Sequence, residues 1–161
     1  MRLRPVRPDD EAALRAIFGD PSVAIWWGDP SRSVNDALQP EEGESGFVVE
    51  ADDEPIGFIQ CFEEADPMYR HASIDLAIRG DRQGQGFGPD AIRALSAHLF
   101  DERGHHRLTI DPAADNVRAI SAYRKVGFRP VGVMRKYERG PNGEWHDGLL
   151  MDLLAGELRP A

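Results

Sequence analysis

The residue types and spacings that could do chemistry centre on one stretch, Ala72 to Leu99. Within it, Gly80, Gly84, Gly86 and Gly88 crowd nine positions, and a helical pattern follows at once. A glycine loop that opens a helix is an anion site. The first backbone N–H groups of a helix have no internal partner, and the helix dipole adds partial positive charge there. Glycines let that backbone approach phosphate oxygens closely. The spacing excludes two familiar loops, because neither GxxxxGK[ST] nor GxGxxG is present. What is present is Gln83-Gly84-Gln85-Gly86-Phe87-Gly88, of the form Q/R-x-x-G-x-G/A.

Other side chains have the chemistry to hold a cation. Trp26 and Trp27 precede a Gly28-Asp29-Pro30 turn. We expect Trp26 to pack in the core and Trp27 to wall a pocket, since a wide rigid face suits a sugar ring or a cation. Glu63, Glu64 and Asp66 form an acidic loop, either a solvated turn or, where it faces a ligand, a holder of ammonium groups. The net charge of −9 argues against nucleic acid and would concentrate a cationic substrate. His105 and His106 are adjacent and cannot both point one way from a strand, and His71, His98 and His146 are scattered, so no metal site is expected. Cys61 is the only cysteine. It cannot form an internal disulfide, it sits in an apolar strand pattern, and it fits a reducing cytoplasm. No apolar run approaches the roughly 18 residues of a membrane span, and the N-terminus breaks into proline and acid as no secretory signal does.

The elements that must position these residues can be read from periodicity. Leu3 to Arg7 is a short strand, and Asp9 or Asp10 caps a helix with Leu14, Ile17 and Phe18 on its inner face, stopped by Gly19 and Pro21. Ser33 caps a short helix through Val34, Ala37 and Leu38. Phe47 to Ala51 and Ile56 to Phe62 are strands joined by the turn Asp52 to Pro55. In the central strand Ile74, Leu76 and Ile78 share one face, with Asp75 opposite. Pro89 takes the first position of the next helix, whose face is Ile92, Leu95, Ser96, Leu99 and Phe100. Arg107 to Asp111 is a strand, Asn116 to Val126 a helix ended by Gly127, and Arg129 to Tyr137 and Trp145 to Leu154 a final pair of strands. The pattern is mixed α/β (α+β): a mostly antiparallel sheet with helices on each side, one domain over 1–161.

Downstream, Asn116 to Phe128 has the form N-x-x-A-x-x-x-Y-x-x-x-G-F, with Tyr123 at its centre. With the glycine loop, in this order and at about this spacing, it resembles the two signatures of the GNAT N-acetyltransferases. The resemblance implies that two parallel strands splay beside the cofactor and that acetyl-CoA is the co-substrate. It places the pyrophosphate on Gln83, Gly84, Gln85, Gly86, Phe87 and Gly88. It pairs the pantetheine arm with Leu76, Ala77 and Ile78, gives Asn116 a hydrogen bond to that arm, and sets Tyr123 against the departing thiolate. An amine of pKa about 10.4 is roughly one part in 2,500 neutral at pH 7, and a carboxylate of pKa about 4 is a poor direct base for it. Asp75 and Asp111, at neighbouring strand ends, therefore read as groups that orient the substrate, with the proton relayed through water or lost to solvent.

Trp26-Trp27-Gly28, Glu54 to Gln60, Ile74-Asp75, Thr109 to Pro112 and Asn116 to Ala119 further resemble aminoglycoside 6′-N-acetyltransferases. That likeness implies that Trp27, Asp75 and Asp111 line a site for a small polycationic aminoglycoside. Phe47 stands where a tyrosine is expected, and the tail Arg135 to Asp147 resembles other GNAT groups. Acetylation of a different small amine or of a protein N-terminus, and acyl-CoA sensing without turnover, are the alternatives. Either a monomer or a homodimer fits the exposed strand tail.

Overall fold

Alternation along β3 (Glu54–Glu64) and β4 (His71–Ile78) sends side chains to two faces of a sheet, and each face meets its own helices. The computed structural model of the protein describes residues 1–160. Seven strands run in the order β1-β2-β3-β4-β5-β7-β6, the others being β1 (Arg2–Pro5), β2 (Glu44–Ala51), β5 (Arg107–Ile110), β6 (Arg129–Arg139) and β7 (Trp145–Leu154). Every neighbouring pair is antiparallel except β4 and β5, which are parallel. The helices are α1 (Glu11–Phe18), α2 (Pro21–Trp27), α3 (Pro30–Leu38), α4 (Phe87–Asp101) and α5 (Val117–Val126). On one face Leu14, Ile17, Phe18, Val23 and Val34 pack with Phe58 and Ala77. On the other, Ile92, Leu95, Leu99 and Ile120 pack with Ile59, Ile74 and Ile78. The mixed sheet with helices on both sides is the architecture read from the sequence.

One stretch without an assigned element is resolved and three local expectations are corrected. The tryptophan stretch is a helix, α2, started by Pro21 and capped by Asp20, whose carboxylate accepts from the Ser22 N–H. Asp29, not Ser33, caps α3, because Pro30 already sits in its first turn. Helix α4 begins at Phe87, so Pro89 is its third residue. Strand β3 runs on through Glu63 and Glu64, because their pairing with Ala72 and His71 of β4 and the Glu63 N–H bond to the Gly43 carbonyl at 2.9 Å override their polar composition. At the β2–β3 turn Asp52 and Asp53 both adopt positive φ, 53° and 60°, the twist a two-residue hairpin needs. Cys61 is buried in the core, and burial pushes its thiol up to about 11.

Asp10 precedes α1, but its carboxylate turns back instead of capping. It accepts from Arg4 at 2.7 and 2.6 Å and from the Arg7 N–H at 2.7 Å, while Arg4 also donates to Glu50 at 2.6 Å. Asp10 and Glu50 are 7% and 6% exposed, and the Arg4 guanidinium holds both below the usual carboxylate range. Removing one member of such a group strands the charges left behind. Arg4→Ala is expected to lose about 3 kcal/mol in urea unfolding at pH 7. Because both pKa values are lowered on folding, this stabilisation is present at neutral pH and lost as the pH falls through them. The deficit of the variant therefore narrows in acid.

Candidate active site

Strands β4 and β5 pair at only two positions, Ala72 with Leu108 and Ser73 with Thr109. Beyond these β4 continues to Ile78 along β3, whereas the chain after β5 leans onto β7. The Leu149 N–H donates to the Pro112 carbonyl and the Ala114 N–H to the Asp147 carbonyl, each at 2.8 Å. The two strands splay, and a cleft of about 360 Å³ lies at the gap. It is lined by Asp75 to Ile78 from β4, Ile110 to Ala113 from the end of β5, Ser22, Val23, Trp26 and Trp27 from α2, and Asn116, Ala119 and Tyr123 from α5 and its cap. A second cavity of about 480 Å³ shares Trp26, Trp27, Ala113 and Glu138 with the first and extends along the β6–β7 hairpin.

The glycine loop closes one end of the cleft. Gly86, at φ 93°, is the N-cap of α4, a left-handed position that glycine takes without strain. The N–H of Asp90 donates to the Gly86 carbonyl and Pro89 has no N–H, so the amides of Phe87 and Gly88 sit in the first turn, where a helix offers no carbonyl partner. Such donors at a helix N-terminus fit a pyrophosphate. Gln83, Gly84 and Gly88 line the cleft; Gln85, Gly86 and Phe87 do not. Gln85 donates to the Asp81 carbonyl at 2.9 Å, and Phe87 packs on the α4–α5 core. Asn116 caps α5 by accepting from the Ala119 N–H at 3.2 Å, which leaves its Nδ2 donors for the cleft that it lines.

The structure brings Asp75, Asp111 and Tyr123 together at the splay. Asp75 is accessible from the cleft, yet the protein packed around it leaves little water to hydrate a charge. That desolvation, then the Asp111 carboxylate and more weakly Glu138, push Asp75 up to about 6, against the Gln60 amide that donates to it at 3.3 Å. Tyr123 is 7% exposed and packs on Phe128 with ring centroids 6.3 Å apart. Burial, with the charges of Asp75 and Asp111, pushes its hydroxyl well above the ordinary tyrosine value, so it stays protonated.

Two expected contacts lie elsewhere. Glu63 accepts from Arg103 at 2.8 Å and from His105 Nε2 at 2.7 Å, and Glu64 accepts from the Asp66 N–H at 2.9 Å; neither lines a cavity. One tryptophan also differs from expectation. Trp27 lines both cavities while its ring packs on Phe18 and Phe58 at 5.1 and 6.0 Å; Trp26, expected in the core, is likewise half-buried and lines both cavities. The seven-residue helix α2 turns Trp26 and Trp27 in different directions, so only Trp27 reaches the Phe18 and Phe58 rings.

Tyr137 and Glu138 were missed. Three residues, Arg135 to Tyr137, face Asp147 alone between the pairs Met134–Gly148 and Glu138–His146. Lys136 at φ 49° takes the resulting kink, its N–H bonded to the Asp147 carboxylate at 2.8 Å. Gly148 gives the Tyr137 ring room, since a Cβ there would come within 2.8 Å of it. The kink sets Tyr137 beside Asp111, whose carboxylate is the main reason its hydroxyl is pushed up to about 12, ahead of burial. Glu138 is raised by burial and then by Asp111. The only sequence signal was the Asp147-Gly148 pair, which does not say which residues of β6 it faces.

A family model described as the acetyltransferase (GNAT) domain matches residues 1–129. The chain belongs to the GNAT acetyltransferase domain family. It is 28% identical over 153 residues to aminoglycoside N(6′)-acetyltransferase type 1 of Klebsiella pneumoniae, covering 82% of this chain and 75% of that one. To spermidine N(1)-acetyltransferase of Escherichia coli K12 it is 25% identical over 158 residues, covering 94% and 84%. The solved structure of AAC(6′)-Ib with paromomycin and acetyl-CoA superposes with a TM-score of 0.77 at 24% identity, over 95% of this chain and 92% of that one. The GNAT fold, with its parallel β4–β5 pair, is thus the fold of this chain. Its membership makes it an acetyltransferase by family, with relatives at similar identity that differ in acceptor.

Proposed function

We propose that the protein transfers the acetyl group of acetyl-CoA to a primary amine of a small polycation, and that the acceptor is the 6′-amine of an aminoglycoside. The observation that carries this reading is the crowd of Asp75, Asp111 and Glu138 beside an indole-walled cavity. Two of these carboxylates are raised, first by burial and then by their neighbours' like charge, and a bound cation would relieve both. A ring bearing several ammonium groups supplies the cation and fills a cavity of about 480 Å³ against Trp26. The amides of Phe87 and Gly88 are suited to hold the pyrophosphate, and the β4 edge at Leu76 to Ile78 is suited to pair with the pantetheine arm. Similarity to an enzyme solved with acetyl-CoA supports that donor.

Bound acetyl-CoA supplies a thioester carbonyl and a sulfur leaving group. Asp75 and Asp111 hold the acceptor ammonium and orient it after its proton passes to water. Tyr123 offers its O–H to the sulfur as negative charge develops there. A tyrosine is a weaker acid than a thiol, and the shift at Tyr123 widens that gap, so a hydrogen bond to the developing thiolate precedes proton transfer. Tyr137 steadies Asp111. Tyr137→Phe is expected to raise KM for the acceptor about fivefold, the worth of one hydrogen bond of ~1 kcal/mol, with kcat little changed in steady-state assays.

The second reading, a linear polyamine acceptor, has its own observation: the similarity to spermidine N(1)-acetyltransferase extends over more of the chain than that to the aminoglycoside enzyme. Thiol release from acetyl-CoA would be measured with kanamycin, tobramycin, an analogue bearing a 6′-hydroxyl, spermidine and a short peptide with a free N-terminus. Turnover of the 6′-amino drugs but not the 6′-hydroxyl analogue is expected. Turnover of spermidine alone moves the assignment to the polyamine, and turnover of the peptide alone removes both.

A further inference from the structure

The first residue of the glycine-loop motif does not turn its side chain toward a ligand. The two amide protons of Gln83 go to the Ile78 carbonyl at 2.6 Å and to Ser22 Oγ at 3.1 Å. Ser22 Oγ donates onward to Asp20 Oδ1 at 2.7 Å, and Asp20 Oδ2 accepts from the Gly80 N–H at 2.9 Å. The chain of bonds is closed. It starts at the end of β4, crosses to the first turn of α2, and returns to the segment that enters the glycine loop. The Asp20 carboxylate is kept ionised by Ser22 and the Gly80 N–H, so every donor in the chain has an acceptor. Helix α2 has few other anchors at this end: Val23 is its one buried residue, and Ser22 and Trp26 face the cleft.

We propose that Asp20, Ser22 and Gln83 form a coupling clamp, through which occupation of the glycine loop by the acyl-CoA pyrophosphate sets the position of Trp26 and Trp27 for the acceptor amine. The clamp rests on the acyl-CoA reading above but not on any choice of acceptor. Gln83 and Ser22 are positioning residues. They act on the acceptor wall through α2, because Gln83 at the entry of the loop and Ser22 in the first turn of α2 share one hydrogen bond, so that a load on the loop backbone is carried to the helix. By linkage, the same bonds make acceptor binding favour the ordered loop.

The test uses the full chain and CoA itself as the probe, with amide hydrogen exchange read separately over residues 84–88 and 24–28. In the wild type, saturating CoA is expected to slow exchange in both segments, by about tenfold over α2, a coupling of the usual size. Ser22→Ala keeps the Gln83–Ile78 and Asp20–Gly80 bonds and cuts only the link between them. In that variant protection of 84–88 is expected to persist while protection of 24–28 is lost, and Ser22→Thr, which keeps the hydroxyl, restores it. Gln83→Met cuts the link from the other side and is expected to match Ser22→Ala. Protection of 24–28 that survives in both variants overturns the clamp. If CoA protects 84–88 in no form of the protein, the acyl-CoA reading falls, and the clamp with it.

Discussion

Replacing Tyr123 with Phe is expected to cut kcat about 100- to 1,000-fold while the affinity for acetyl-CoA stays within about twofold. The hydroxyl is the group at issue, because the ring is kept. Tyr123 packs in the core with Phe128, Val126 and Ile120, and phenylalanine preserves that packing. Its raised pKa keeps it a donor throughout the neutral range, and a donor aimed at a charge that develops only in the transition state raises kcat without tightening the ground state. Stopped-flow thiol release with saturating acetyl-CoA and amine measures the rate, and titration of CoA against the variant measures the affinity. An unchanged rate would remove Tyr123 from the chemistry and leave it a core residue. A rate loss matched by an equal loss of CoA affinity would make it a binding residue instead.

Asp75→Asn is expected to act in opposite directions on binding and on stability. For binding, a poorly hydrated charged partner that faces the cleft is lost, worth about 2 kcal/mol, so KM for a dicationic or larger amine rises about 30-fold. The wild-type kcat/KM for that amine rises as Asp75 ionises near pH 6, and the variant lacks this inflection. For stability, the sign is reversed from the Arg4 case. The folded-state value of about 6 lies above the ordinary 3.8, so the stability linked to the neutral carboxyl is present in acid and lost as the pH rises through about 6. The free variant should therefore melt at a higher temperature than wild type at pH 7.5 and at nearly the same temperature below pH 4. A rise in KM accompanied by a lower melting temperature would show that Asp75 is a structural residue and that the acceptor loss is secondary.

The two predictions differ in how far the sequence alone reaches them. Tyr123 and Asn116 sit on one helix and its N-cap, and Gly84, Gly86 and Gly88 sit at one helix start. Those positions are set by capping and by 3.6-residue periodicity, which act over a few residues and can be read in order along the chain. The strand that carries Asp75 opposite Ile74, Leu76 and Ile78 is legible for the same reason, because alternation is local. The mixed α/β class follows from those periods as well.

Other features depend on pairing between distant segments. Glu63 reads as a loop acid, but Arg103 and His105 come to it from 40 and 42 residues away and occupy its carboxylate. Trp26 leaves its expected core setting while Trp27 takes the packing on Phe18 and Phe58, a helix and a strand residue that only the fold juxtaposes. Tyr137 reaches Asp111 because β6 takes three residues opposite one at Asp147, a register that composition does not encode. What the sequence by itself determined is therefore the anion loop, the α5 motif and the family they announce, since contiguous residues and backbone geometry suffice for each. The acidic, aromatic wall of the cleft was decided only by the tertiary structure. Asp75 and Glu138 are raised by burial and then by neighbouring carboxylates, and both causes exist only after strand splaying and hairpin register have put these groups side by side.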